Sequence, residues 1–358
     1  MPKIDALTGV RFLAALWVSI THFRYAQFEE LGSIIGSFVR SGGLAVPVFF
    51  VLSGYILAHN YRHWFSDKIE PKLAFRFFCY RLAQIYPLHF ATLTLALILI
   101  LSGVMPEGRA DDAYTLALNI VMVQAWGLTP HLSWNMPACS VSSEWLAYLI
   151  FPAVVIVLVR FSKWGLVCGV VAGVVLAGII PHPMPKMAYG AVTAAMFCLF
   201  VAGACCRLLT LEAAPGPAWD YIALAATAGL IISATVAGWQ LTGPATTKLS
   251  GQYVVYACTV VLIPALGLSR GAFAGLLGHP IMVQLGEISF ALYLCHIPAI
   301  WCMRAVAGYQ MPLMFEVGVA LAVAAGLHHF LGKPARKCIR AWLDRTKTAL
   351  VPVGYRYP

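Results

Sequence analysis

The stretch Ala6–Phe23, which reads ALTGVRFLAALWVSITHF, is apolar over most of its length and contains two ionisable side chains, Arg11 and His22. A helix that crosses the hydrocarbon core of a bilayer needs about 20 mostly apolar residues. A cleaved signal peptide would have an uninterrupted apolar core followed by an A-x-A site, and this stretch has neither. It is therefore predicted to be a retained first transmembrane helix.

The rest of the chain has the same apolar character. Of its 358 residues, 61% are hydrophobic and 11% are charged, and the mean hydropathy is +0.81. A water-soluble domain carries about 25% charged residues, so a soluble protein is excluded. We predict an all-α polytopic bundle of about ten transmembrane helices. The candidate spans are 6–23, 42–59, 86–104, 145–159, 164–180, 188–206, 220–240, 252–268, 289–306 and 312–331.

The distribution of positive charge predicts the topology. Lys and Arg cluster in the loop 60–84 and after residue 332, and such clusters lie on the cytoplasmic side of a membrane. An even number of crossings must separate them, which gives ten spans with both termini cytoplasmic. The segment 113–126 is then a re-entrant or surface segment on the outer side. We predict a membrane domain over 1–335 and a solvated basic tail over 336–358.

The net charge of +10 would suggest a nucleic-acid partner for a soluble protein. Here the basic residues follow the topology, so the expected surroundings are the lipid bilayer and no nucleic acid. The ten cysteines follow neither metal nor disulfide spacing, and no metal site is expected.

Arg11 and His22 are the first candidate functional residues, because ionisable groups inside a membrane are costly and rare. They are 11 residues apart, which places them on one helix face about 16 Å apart along the axis. That face offers a fixed cation near the cytoplasm and a titratable base near the outer side. The alternative is an arginine that extends to the membrane surface and an interfacial histidine.

Glu144 is the second candidate, since it opens the predicted fourth span at the depth of His22, shortly after Ser140. A carboxylate in a first helical turn favourably interacts with the helix dipole, which is the simpler explanation. Alternatively, it pairs with His22 and stabilises the imidazolium. Depth alone supports this pairing.

Two further groups are suggestive. Arg76 and Arg81 directly precede the third predicted span, where they either follow the positive-inside rule or bind the phosphates of an anionic nucleotide. Tyr293 and His296 lie with Ser289 in the ninth span. Composition and spacing therefore support a membrane enzyme or a transporter with an inner cation and an outer base.

Five motifs, in order, resemble those of the acyltransferase-three family, bacterial membrane O-acyltransferases of surface and secreted glycans. They are Ile4–Phe23 (IDALTGVRFLAALWVSITHF), Phe49–Leu57 (FFVLSGYIL), Tyr80–Pro87 (YRLAQIYP), Ser140–Tyr148 (SVSSEWLAY) and Leu285–Pro298 (LGEISFALYLCHIP). The resemblance covers nearly the whole chain.

The resemblance implies ten core helices and transfer of an acyl group, usually acetyl, from cytoplasmic acyl-CoA to a hydroxyl at the outer face. His22 would be the catalytic base and Glu144 a supporting catalytic residue. Acyl-CoA would be a substrate rather than a bound cofactor, held by the cations. The cofactor-binding set is Arg11, Arg76 and Arg81, and the substrate-binding or supporting set is Ser53, Tyr55, Ser140, Tyr293 and His296.

The implied location is the bacterial inner membrane. The implied acceptors are an exopolysaccharide, a lipopolysaccharide or a lipid-linked saccharide, with other polysaccharide-assembly proteins as partners. An antibiotic-like small molecule or a nodulation-type oligosaccharide is a further acceptor class.

Three positions depart from the family pattern. Gln84 replaces a second arginine after Arg81, Cys139 replaces a tryptophan, and Gly332 replaces a glutamate before Lys-Pro. The alternative function is a proton-coupled transporter or flippase that uses His22 and Glu144 as a relay. Transporters often show two related halves, which this sequence lacks, so the enzyme is favoured.

Overall fold

The structure, a computed structural model, describes residues 4–29, 33–105, 111–131, 133–180, 189–240, 250–308 and 311–345. The predicted tail beyond residue 345 lies outside these ranges. Within them the regular structure is helical. The helices are α1 Asp5–Glu29, α2 Ile34–Arg40, α3 Ala45–Tyr61, α4 Pro71–Leu101, α5 Ala113–Ile120, α6 Ala138–Leu158, α7 Lys163–Ile179, α8 Tyr189–Leu209, α9 Ala218–Gln240, α10 Ser250–Leu268, α11 Ala272–Leu277, α12 Pro280–Ala307, α13 Leu313–Gly326 and α14 Lys333–Arg345.

The predicted fold class is confirmed. Across the described ranges, nine helical segments are long and apolar enough to cross a membrane, with α13 and α14 counted as one continuous segment. The remaining predicted span, 164–180, corresponds to α7, which is apolar but has only 17 residues. The chain is thus a polytopic helical membrane protein.

The helix α4 begins earlier than the sequence predicted. Pro71 occupies its first turn, where the missing N–H of proline costs nothing, and the helix continues for 31 residues. At 1.5 Å per residue it is about 46 Å long, which exceeds the hydrocarbon thickness of about 30 Å. Arg76 and Arg81 therefore lie within the first turns of α4. The prediction that they belong to a loop before the third span was wrong.

A similar extension occurs at the C-terminal end of the described chain. A π-helical turn, Leu327–Gly332, joins α13 to α14, and the whole segment has 33 residues. The helix therefore runs through the predicted boundary at residue 335. Its last turns pack against the cytoplasmic end of α4, where Asp344 accepts a hydrogen bond from Arg76.

The segment 113–126 contains only the short helix α5, so it does not span the membrane. The residues after α5 are hydrogen bonded to α6. Gln124 donates to the carbonyl of Ala138 over 3.1 Å, and the indole of Trp126 donates to the carbonyl of Ser142 over 3.0 Å. This segment therefore fixes the outer end of α6, which carries Glu144.

Close packing of α1 on α12 positions the histidines. A Cβ atom at Gly286 would lie 2.0 Å from the carbonyl oxygen of Thr8, so only glycine permits this approach. The same holds between α3 and α8, where a Cβ at Gly54 would lie 1.9 Å from the carbonyl oxygen of Phe200. Both contacts bring main chains together, and both glycines belong to the motifs described above.

Candidate active site

Two adjoining cavities run along the bundle. An intramembrane cavity of about 110 Å³ lies between α1, α3, α4, α6 and α12. A second cavity of about 580 Å³ adjoins it, between the N-terminal turns of α1 and the last described helix, α14. It is called the cytoplasmic cavity here, after the side that the charge distribution predicts. Arg11, Arg81 and Gln84 line both cavities, so the two spaces meet at these side chains.

His22 is paired with His296 rather than with a carboxylate. The Nε2 atom of His296 lies 3.1 Å from Nδ1 of His22, and that Nδ1 also lies 3.0 Å from the carbonyl oxygen of Val18. The Nδ1 atom of His296 lies 2.8 Å from the carbonyl oxygen of Tyr293. These contacts form one chain from α12 to α1.

The carbonyl groups fix the tautomers of both rings, because a carbonyl oxygen can only accept. His296 therefore carries its proton on Nδ1 and donates to Tyr293, which leaves Nε2 as an acceptor. His22 likewise carries its proton on Nδ1, shared between Val18 and His296. The Nε2 atom of neutral His22 then carries no proton, and its lone pair can accept one, as a general base requires.

Glu144 forms a separate cluster, and its predicted pairing with His22 is not present. Its Oε1 accepts hydrogen bonds from Ser53 Oγ over 2.8 Å and from Tyr148 Oη. The carboxylate is directed from α6 toward α3, whereas His22 is directed from α1 toward α12. Glu144 also lies in the second turn of α6 rather than at its start, so the first-turn dipole explanation does not apply either.

Tyr293 connects the two clusters. Its hydroxyl is hydrogen bonded to Ser140 Oγ over 2.9 Å, and both residues line the intramembrane cavity with Glu144. Its ring centroid is 6.0 Å from that of His296 and 5.7 Å from that of Phe49. Tyr293 and Phe49 therefore form the wall of the cavity nearest the histidine pair.

Arg81 lies at the junction of the two cavities and is 8% exposed. Its guanidinium donates to Tyr61 Oη over 2.8 Å and lies 5.0 Å from the Tyr61 ring centroid. It also lies 5.9 Å from the ring centroid of Tyr148, whose hydroxyl reaches Glu144. Arg11 faces the same junction from α1.

Two of the predicted site residues lie elsewhere. Arg76 is bonded to Asp344 at 2.7 Å and to Tyr80, and it does not line either cavity. Tyr55 is directed to the other side of α3, where it contacts Arg207. Of the remaining candidates, Arg11, Ser53, Arg81, Ser140, Glu144 and Tyr293 line the intramembrane cavity. His22 and His296 line neither cavity, and the His296 ring lies against Tyr293.

Sequence reasoning missed three contributors. Tyr148 follows Glu144 by one helical turn within the motif SVSSEWLAY, so its contact with the carboxylate could have been inferred from i, i+4 spacing. Arg336 and Arg340, which line the cytoplasmic cavity, fell in the segment predicted to be a solvated tail. Their signal was an amphipathic spacing after the last apolar run.

Comparison with known proteins identifies the family of the chain. A family model described as an acyltransferase domain, Acyl_transf_3, matches residues 4–327. A relative, acyltransferase MdmB of Streptomyces mycarofaciens, is 28% identical over 350 residues, which cover 91% of this chain and 86% of that protein. No solved structure matches. The matched region includes every motif that carries the histidine pair, the carboxylate and the junction arginines, and the chain therefore belongs to the acyltransferase-three family as a multi-pass membrane acyltransferase.

Proposed function

We propose that this acyltransferase is an O-acetyltransferase of the bacterial inner membrane. It moves an acetyl group from cytoplasmic acetyl-CoA to a hydroxyl of an exopolysaccharide, a lipopolysaccharide or a lipid-linked saccharide at the outer face. The observation that carries the proposal is the continuity of the two cavities. They lead from a cluster of cations to the wall formed by Tyr293 and Phe49, behind which the histidine pair lies.

The donor fits the charge distribution. Coenzyme A is anionic at its nucleotide end and carries its thioester at the end of a long, nearly uncharged pantetheine arm. The phosphates would lie in the cytoplasmic cavity near Arg11 and Arg81, since arginine forms paired hydrogen bonds with phosphate. The arm would pass through the narrower, largely apolar intramembrane cavity. Ser53, Ser140 and Glu144 offer it hydrogen-bonding groups there.

The tautomer of His22 leaves its Nε2 atom available as the general base. Its Nε2 atom would take the proton of the acceptor hydroxyl while the hydroxyl oxygen attacks the thioester carbonyl. The tetrahedral intermediate then collapses, the carbon–sulfur bond breaks, and the leaving thiolate takes the proton from His22. The products are an O-acetyl ester and free coenzyme A. His296 would stabilise the imidazolium by continuing to accept from Nδ1.

Glu144 would act as a supporting residue in this scheme. Its carboxylate holds Ser53 and Tyr148, and Tyr148 in turn lies against Arg81. A transporter that relays protons between His22 and Glu144 would need these groups in contact. The structure instead separates them into two hydrogen-bonded clusters.

The experiment supplies membranes containing the protein with radiolabelled acetyl-CoA and a crude glycan extract of the host. We expect alkali-labile label to enter the glycan with the unchanged protein and to be lost with His22→Ala. His131→Ala is the matched control, because this exposed histidine lies in a loop and belongs to neither of the two hydrogen-bonded clusters. Transfer by His22→Ala at the rate of the unchanged protein would contradict the proposed base.

A further inference from the structure

The cytoplasmic cavity has a large excess of positive charge. Among the described residues its lining includes the five cations Arg11, Arg81, Lys333, Arg336 and Arg340 but only one carboxylate, Glu287. Like charges held together in a partly desolvated space repel one another. Such a space is stabilised by an anion of several charges, and arginine forks match phosphate oxygens in geometry.

Three of these cations come from a single helix face. Lys333, Arg336 and Arg340 follow one another at intervals of three and four residues, which places them side by side on α14. The match to the family model ends at residue 327, before this face begins.

Contacts with α4 hold the helix α14 in place. Asp344 accepts from Arg76 at 2.7 Å, and Arg76 also donates to Tyr80. The guanidinium of Arg340 lies 5.7 Å from the centroid of the Tyr80 ring. These contacts fix α14 against the cytoplasmic end of α4, and with it the position of Arg336.

An unsatisfied donor lies at the inner end of the same cavity. The Nε atom of Arg81 is buried and has no hydrogen-bond partner within the part of the chain that the structure describes. Arg81 as a whole is more than nine-tenths buried. A buried guanidinium nitrogen without an acceptor is costly, and a ligand oxygen in the cavity would satisfy it.

We propose that α14 forms one wall of a phosphate-binding site, in which Arg336 and Arg340 bind the phosphate groups at the nucleotide end of acyl-CoA. The inference rests on the proposed donor and extends it. These two arginines make the enzyme select a donor that carries the nucleotide over a truncated pantetheine thioester. Arg76 is a positioning residue, because it acts through Asp344.

The test is equilibrium binding, which needs neither acceptor nor turnover. The full chain is purified in phosphatidylcholine nanodiscs and titrated with coenzyme A and, separately, with pantetheine. Arg336→Gln and Arg340→Gln are each expected to raise the Kd for coenzyme A about tenfold, since each removes a charge-assisted hydrogen bond. Binding of pantetheine, which has no phosphate, is expected to stay unchanged.

The matched control is Lys337→Gln, which removes the same charge from an exposed position on the same helix that does not line the cavity. It is expected to leave both affinities unchanged. A third arm adds phosphatidylglycerol to the nanodiscs, because a lipid phosphate is the other source of this chemistry. Coenzyme A affinity that persists with the added lipid supports the assigned ligand.

The outcomes separate the two proposals. If the unchanged protein binds coenzyme A and both arginine variants bind it equally well, the proposed role of α14 is wrong. The proposal that acyl-CoA is the donor then still stands. If the variants lose pantetheine binding to the same extent, their effect is structural and the inference falls. If the unchanged protein does not bind coenzyme A, or if phosphatidylglycerol abolishes its binding, the cavity is not a coenzyme A site.

Discussion

The contact between α1 and α12 and the contact between α4 and α14 differ in how completely their polar groups are satisfied. The first is a closed chain of hydrogen bonds, in which two main-chain carbonyls fix both histidine rings. The second brings several cations together and leaves a buried guanidinium nitrogen with no hydrogen-bond partner among the described residues. The histidine pair, the proposed chemical end, is thus satisfied within the protein, whereas the cation cluster, the proposed binding end, has a donor that the proposed ligand would satisfy.

The largest effect is expected at the histidine pair, from the variant His296→Ala. It removes the acceptor for Nδ1 of His22, so the ring is no longer held in one tautomer and orientation. We expect kcat to fall about 100-fold, the lower part of the range that general base catalysis contributes. Binding of coenzyme A should be unaffected. Initial rates of acetyl transfer at saturating donor would measure the effect.

Partial rescue distinguishes positioning from packing at this residue. His296→Gln keeps an oxygen that can accept from His22 Nδ1, so it should recover at least a tenth of the lost activity. Equal losses in the alanine and glutamine variants would show that the ring of His296 acts by filling space.

The next largest effect is expected at Arg81, where the two cavities meet. Arg81→Gln removes the guanidinium at the junction of the cavities and should raise the Kd for coenzyme A about 30-fold. Lys72→Gln is the control, because Lys72 is exposed on the same helix and does not line either cavity. An unchanged Kd for Arg81→Gln, measured by titration, would place the donor elsewhere.

These regions also show what the sequence could and could not predict. The all-helical membrane fold and the positions of most spans followed from apolar runs, because the bilayer acts on each segment separately. The direction inferred from clustered Lys and Arg stays a prediction. The early start of α4 was missed, since Arg76 and Arg81 break the apolar run although they remain helical and face protein. Hydropathy registers lipid exposure and not helical structure.

The histidine pair could not be predicted from local pattern. His22 and His296 are 274 residues apart, and their contact depends on the close approach of α1 and α12 at Gly286. The pairing of His22 with Glu144 was predicted from depth, which fixes a position along the membrane normal but not the direction of a side chain around its helix. Its place inside the ninth span made His296 a candidate, and the family resemblance placed it in the supporting set, but neither predicted its contact with His22.

A smaller effect is expected at the contact that holds α14. The side chain of Asp344 is 48% exposed, and ion pairs with an exposed partner contribute about 0–1 kcal/mol. Asp344→Asn should therefore weaken coenzyme A binding by about fivefold at most, less than either arginine variant of α14. A larger loss than that of Arg336→Gln would mean that the contact does more than position the helix.

The smallest effect is expected at the start of α5, which belongs to neither of the two contacts compared above. The main-chain N–H of Thr115 donates to Asp112 and lowers the pKa of this carboxyl, as befits the capping residue of α5. A lowered folded pKa means that the stabilisation is present above the unfolded value and is lost as pH falls through the folded one. Amide exchange at Thr115 should therefore be insensitive to Asp112 protonation at neutral pH. Protection that changed between pH 6 and 8 would contradict this assignment.

The most direct test of the whole account measures kcat and coenzyme A affinity side by side in His22→Ala and Arg336→Gln. We expect His22→Ala to lose acetyl transfer and to keep the Kd of the unchanged protein. Arg336→Gln should show the reverse, with a raised Kd and a kcat within about twofold of normal. If both variants lose both properties together, the division between a self-contained chemical end and a ligand-completed binding end is wrong.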